Sequence, residues 1–202
     1  MKLGASSYFR RYVMLAAACV LAVVLTACTG RGGGQLPPSA GFKAAASFGF
    51  SFSCEDKGGL NPPTGKLHIE LSYNDKGSNP LGSSFGIHGI VDKIDPVLES
   101  AICIGKNPPP GGNELIFLGR YYLTSSPPTG FPRSCTPGKT STTPLCRFEV
   151  IVRDNDKNGV PSARDYFQIT LSSATALTSE LDPATVFYTR AGLLSSGNLT
   201  VD

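Results

Sequence analysis

The sequence predicts an all-β protein, a single antiparallel β-sandwich or barrel of about eight or nine short strands behind an N-terminal signal helix. Three observations carry that prediction. From about Phe42 onward, apolar and polar residues alternate in short runs, the mark of half-buried strands. Clusters of Gly, Pro, Asn and Asp separate the runs at regular intervals. No window keeps a 3.6-residue period over three turns, and the nearest, 173–180, is short and rich in Ser and Thr.

Each strand has its own pattern. Ser47-Phe48-Gly49-Phe50-Ser51-Phe52-Ser53 puts three Phe on one face. Lys66-Leu67-His68-Ile69-Glu70-Leu71-Ser72-Tyr73 sets Leu67, Ile69, Leu71 and Tyr73 against His68 and Glu70. Further strands are expected over 84–91, 98–104, 114–123, 146–153, 166–172, 186–189 and 199–201. Turns are expected at Asn61-Pro62-Pro63, Asp75-Lys76-Gly77, Asn107-Pro108-Pro109-Pro110-Gly111-Gly112, Ser126-Pro127-Pro128 and Asn158-Gly159. The pattern contains no internal repeat and no second domain.

Charge divides the chain into two unlike parts. Of its 202 residues, 18 are basic and 15 acidic, yet Lys2, Arg10 and Arg11 all lie in the first 27 residues and no acidic residue does. The remainder is neutral, so it has no electrostatic footprint for a nucleic-acid backbone or a polybasic membrane contact. With 41 % apolar residues it can bury a core, which excludes a disordered tail.

The basic n-region is followed by an uncharged apolar stretch over 12–24, shorter than the about 20 residues needed to cross a bilayer. It ends in Leu25-Thr26-Ala27-Cys28. This segment resembles the bacterial lipoprotein signal with its lipobox. The resemblance implies cleavage before Cys28 and diacylglycerol on its sulfur. Two acyl chains hold a protein on a membrane far better than one. The expected division is therefore a signal over 1–27, a flexible Gly/Pro-rich tether over 28–41 and a β domain over 42–202. The expected location is the extracytoplasmic face of the cell membrane.

Export also accounts for the cysteines. Cys19 leaves with the signal and Cys28 takes the lipid, so Cys54, Cys103, Cys135 and Cys146 remain, an even number in an oxidising compartment. Of three possible connectivities, the turn-rich segment 136–144 favours Cys135–Cys146, and Cys54–Cys103 follows by default. No C-x-x-C pair suggests zinc.

A wider resemblance joins several motifs. Phe48-Gly49-Phe50 with Cys54, Leu71-Ser72-Tyr73-Asn74-Asp75, the strand around Cys103, Phe117-Leu118-Gly119, the run 148–154, Asp165-Tyr166-Phe167-Gln168-Ile169, Gly192-Leu193-Leu194 and Gly197-Asn198-Leu199 together resemble the post-COAP domain. That is a family of small secreted β domains in actinobacterial exported proteins, and the resemblance covers roughly 42–202. The family's Gly-Glu-Pro-Gly loop is replaced here by Asn155-Asp156-Lys157-Asn158-Gly159-Val160-Pro161. The resemblance implies an all-β, secreted, accessory domain and carries no catalytic residue.

Three candidate chemistries stand beside it. Asp154, Asp156, Asn158, Gly159 and Asp165 keep the register of an EF-hand loop, making Asp154, Asp156, Asn158 and Asp165 candidate Ca2+ ligands, with Val160 and Ser162 at intermediate positions. Strands rather than helices flank the loop, Asp stands where the bidentate Glu belongs, and Pro161 lacks an amide hydrogen. The plain alternative is a turn with solvated carboxylates. His68 with Glu70, or His88 with a carboxylate, would serve a small hydrolase, while a carboxylate pair using Glu99 or Glu114 cannot be nominated without a fold. No nucleophile or phosphate-binding motif accompanies them, so no catalytic residue is assigned. Tyr73, Tyr121, Tyr122, Tyr166 and Tyr188 offer rings for a cell-wall glycan, although the chain has no Trp. The functional expectation is a lipid-anchored, non-catalytic envelope protein that binds the membrane through its anchor, and a wall glycan or an envelope protein through its domain.

Overall fold

The computed structural model describes residues 28–55, 66–90, 112–136, 146–156, 164–175 and 180–201. Nine strands fall within them: β1 (Cys28–Leu36), β2 (Ala46–Glu55), β3 (Lys66–Asp75), β4 (Phe85–Ile90), β5 (Glu114–Leu123), β6 (Cys146–Arg153), β7 (Tyr166–Ser172), β8 (Val186–Leu193) and β9 (Ser196–Val201). All belong to one antiparallel sheet in the order β8-β7-β6-β5-β4-β3-β2-β1-β9. The all-β expectation holds, with a single curled sheet in place of two stacked ones.

The period-2 pattern produces the curl. Phe48, Phe50 and Phe52 of β2, Ile69, Leu71 and Tyr73 of β3, Leu115, Phe117 and Tyr121 of β5, and Phe167, Ile169 and Leu171 of β7 are all buried. Burying each such side chain is worth about 1.5–3 kcal/mol, and a flat sheet has nothing to bury them against. The sheet therefore rolls until its inner face meets itself. Phe48 and Phe167, five places apart in strand order, stack with ring centroids 3.6 Å apart.

The two outermost strands, β8 and β9, are neighbours in sequence, separated by Leu194 and Ser195 alone. Successive amides at this corner serve opposite edges. Leu194 N–H donates to the Asp165 carbonyl and Ser195 N–H to the Gln35 carbonyl, each at 2.9 Å. Gly197 follows with φ +109°, and a Cβ there would collide with the carbonyl of Gly33.

One expectation fails instructively. The segment 28–41, expected as a flexible tether, begins with β1, a strand paired with β2 on one side and β9 on the other. Its glycines are packing residues. A methyl group on Gly30 would run into Leu115 Cδ2 from the opposite wall. The sheet therefore already includes residues 28–36, ahead of residue 42. The remaining strands match expectation, with β8 and β9 longer than foreseen. The expected strand over 98–104 and the signal over 1–27 lie outside the described residues. The Ser/Thr-rich stretch after β7 forms no helix where it is described.

Candidate functional site

The outer face of β2, β3 and β4 carries an open groove of about 270 Å³ lined by Gly49, Phe50, Ser51, Glu70, Leu71, Ser72 and His88. The register builds it. Gly49 pairs with Ser72, Ser72 with His88 and His88 with Tyr122 in one row. Ser51 pairs with Glu70 in the next row, and Ser53 with His68 beyond it. Gly49 and the serines leave the depression that larger neighbours border. The His88 and Tyr122 rings lie 5.2 Å apart, tilted by 38°.

The strand alternation that exposes His68 and Glu70 also brings His88 to Glu70's groove. His68 turns to Ser51, with Nε2 3.4 Å from the Ser51 hydroxyl oxygen. Glu70 supplies an acceptor, His88 a donor or an acceptor, and Ser51 and Ser72 hydroxyls that do both. This set suits a hydroxyl-rich ligand lying on a surface. Of the residues named for a carboxylate pair, Glu114 is paired with Arg153, and Glu99 lies outside the described residues.

The five tyrosines do not assemble into a platform. Tyr73, Tyr121 and Tyr188 occupy inward-facing positions and are buried in the core. Burial is the main cause that pushes all three phenols well above their ordinary value of 10.0. Tyr166 is half-buried under the Arg153 guanidinium, 4.9 Å from its ring centre, and donates to Gln168 Oε1 at 2.8 Å. Tyr122 alone among the five adjoins the groove through His88.

At the β6–β7 connection, Asp154, Asp156 and Asp165 bring carboxylate oxygens within 4.8 Å of one another. Asn158, Val160 and Ser162 of the expected calcium set lie outside the described residues. Two of the carboxylates already have work. Asp165 accepts Asn155 N–H at Oδ1 (3.0 Å) and Leu199 N–H at Oδ2 (2.8 Å). Asp154 Oδ2 accepts Val201 N–H at 3.2 Å.

The bonds from Leu199 and Val201 satisfy amides on the side of β9 that faces away from β1. They cap an open sheet edge with side chains. Asp156 is exposed, and its carboxyl is raised first by its hydrogen bond to Asp154 and further by the charges of Asp154 and Asp165. A calcium ion there would share its carboxylates with backbone donors. No sequence signal reveals the capping role, because it depends on where β9 docks.

A buried polar network lies inside the curl, unforeseen from sequence. Arg190 Nη1 of β8 stands 3.0 Å from Asp75 Oδ2 at the end of β3. Tyr188 OH donates to the same oxygen at 2.7 Å and meets Tyr73 OH at 2.5 Å. Of the expected disulfides, Cys135–Cys146 is formed, with Cα atoms 5.4 Å apart. Cys103 lies outside the described residues, and Cys54 stands opposite Cys28 in the β1–β2 register. No helix among the described residues is long and apolar enough to cross a membrane. Comparison of the chain with family models, curated proteins and solved structures finds no match.

Proposed function

We propose that the protein is an exported lipoprotein of the bacterial cell envelope, held on the outer side of the cell membrane by lipid on Cys28. On this reading its β domain is a non-catalytic binding module. The observation that carries the proposal is the order of the first 28 residues: three basic residues, an uncharged apolar run, then Leu25-Thr26-Ala27-Cys28. The buried Cys135–Cys146 disulfide is consistent with an oxidising compartment.

The binding surface in this proposal is the groove of Ser51, Glu70, Ser72 and His88, with a wall glycan as the ligand class that its hydroxyl and carboxylate groups suit. A non-catalytic role is favoured over a hydrolase because the groove is an open face and its histidine–hydroxyl contact, His68 with Ser51, is long at 3.4 Å. The test is metabolic labelling with palmitate of the full chain and its Cys28→Ala variant in a bacterial host. Label and membrane partitioning should both be lost in the variant. A variant that still partitions with membranes at the mature size overturns the proposal. For the groove, Glu70→Gln and His88→Ala should weaken retention on isolated wall glycan while leaving the unfolding midpoint unchanged.

A further inference from the structure

We infer that the Cys28 end of the curled sheet rests directly against the bilayer, with phospholipid headgroups as its partner surface. This rests on the lipidation of Cys28 proposed above. The lipobox cysteine is also the first residue of β1. Two residues later, Gly30 is already paired with Phe52 of β2 and with Val201 of β9.

Magnitudes separate a strand from a tether. A strand advances about 3.3 Å per residue, so the doubly paired level at Gly30 lies about 7 Å from the lipid-bearing residue. A flexible spacer over 28–41 would instead give a root-mean-square reach of about 20 Å and free rotation. A strand hydrogen-bonded on both sides permits neither. The anchor therefore dictates which rim of the sheet faces the lipid.

That rim contains the paired Glu114 and Arg153, and Asp154, whose carboxylate holds Val201 of β9. The far rim, where Asp75 pairs with Phe85, lies about 30 Å away along β3. The groove sits on the side wall between the rims. Ser51 pairs with Arg31, three residues from Cys28, which places the groove about 10 Å above the headgroups. A ligand would meet it in the layer next to the membrane.

The chain contains no Trp, so a single introduced Trp reports its surroundings alone. Asp156→Trp marks the near rim and Ser84→Trp the far rim, and both positions are exposed, so neither change removes a packed side chain. The full chain, processed from its own signal, is reconstituted into phosphatidylcholine/phosphatidylglycerol vesicles carrying nitroxide-labelled headgroups. Quenching of Asp156→Trp should exceed that of Ser84→Trp several-fold. A Gly/Ser spacer of about 12 residues inserted between Thr29 and Gly30 should abolish the difference.

Equal quenching in a protein whose Cys28 carries diacylglycerol by mass overturns the inference and leaves the lipoprotein reading standing. A difference that survives the spacer also overturns it, since the approach would then come from affinity of the domain for lipid. Absence of lipid on Cys28 together with failure to float with vesicles overturns the lipoprotein reading, and this inference with it.

Discussion

Arg190 and Asp75 form an ion pair at 3.0 Å with both side chains 1 % exposed. The contact joins β8 to β3, strands five places apart in the sheet. It is ionic and not an aligned hydrogen bond at Nη1. The other terminal nitrogen, Nη2, donates to the carbonyls of Pro37 (3.0 Å) and Ala44 (2.8 Å), and the group lies 4.6 Å from the centre of the Phe42 ring. One side chain thus ties β8 to β3 and to the segment between β1 and β2. Removing either partner leaves an uncompensated buried charge, which costs about 3–5 kcal/mol. Asp75→Ala and Arg190→Met should each lower stability by that amount in denaturant unfolding. The double variant Asp75→Leu/Arg190→Met should recover part of the loss.

The edge of β9 depends on Asp165. Replacing it by Ala strands the amides of Leu199 and Asn155, each bonded to a different carboxylate oxygen. An unsatisfied buried donor costs about 1–3 kcal/mol, and Leu199 is in the core. Asp165→Ala should therefore destabilise the protein by about 2–4 kcal/mol. Hydrogen exchange should quicken first at Leu199 and Val201, while Asp165→Asn retains one acceptor oxygen and should lose less.

Gly30→Ala distinguishes a strand from a tether by measurement. In a tether the change is neutral or slightly favourable. In β1 the new methyl meets Leu115 Cδ2, and overpacking of this kind costs about 1–3 kcal/mol. The variant should unfold at lower denaturant with an unchanged m-value. Truncation before residue 42 should prevent folding, because it removes a strand bonded on both sides.

Alkaline pH should expose the three buried phenols. Tyr73, Tyr121 and Tyr188 all have raised values, with burial as the leading cause. They stay protonated in the folded state while the unfolded chain loses its protons near pH 10, so unfolding releases protons there. Stability is full below pH 10 and falls as pH rises past it, by up to about 4 kcal/mol per pH unit for three groups. Phenolate absorbance from these residues should appear together with loss of the β signal, in one cooperative step. Tyr121→Phe should make the loss shallower.

How much was legible depends on how local the deciding physics is. Alternation in 47–53 and 66–73 assigned both strands and their buried faces, because side chains of a strand point alternately to opposite sides whatever the strand pairs with. The turn-rich segment between Cys135 and Cys146 likewise announced its disulfide. The run Gly32-Gly33-Gly34 carries no side-chain pattern, so it reads the same in a linker as in a strand packed against Leu199 and Leu194. Asp154 and Asp165 kept the spacing of a cation loop, and nothing within that loop reveals that β9 docks there and takes their oxygens.

The amino-acid sequence alone determined the all-β class, the course of most strands and the buried faces of β2 and β3. These follow from the order of charge, apolarity and turn residues over ten or so positions. Tertiary structure decided the rest: that the glycine-rich segment is a strand between β2 and β9, that Tyr73 and Tyr188 join Asp75 and Arg190 inside the curl, and that His88 and Glu70 border one groove. Each of these joins segments far apart in the chain, and their contact exists only once the sheet has rolled to bury its inner face.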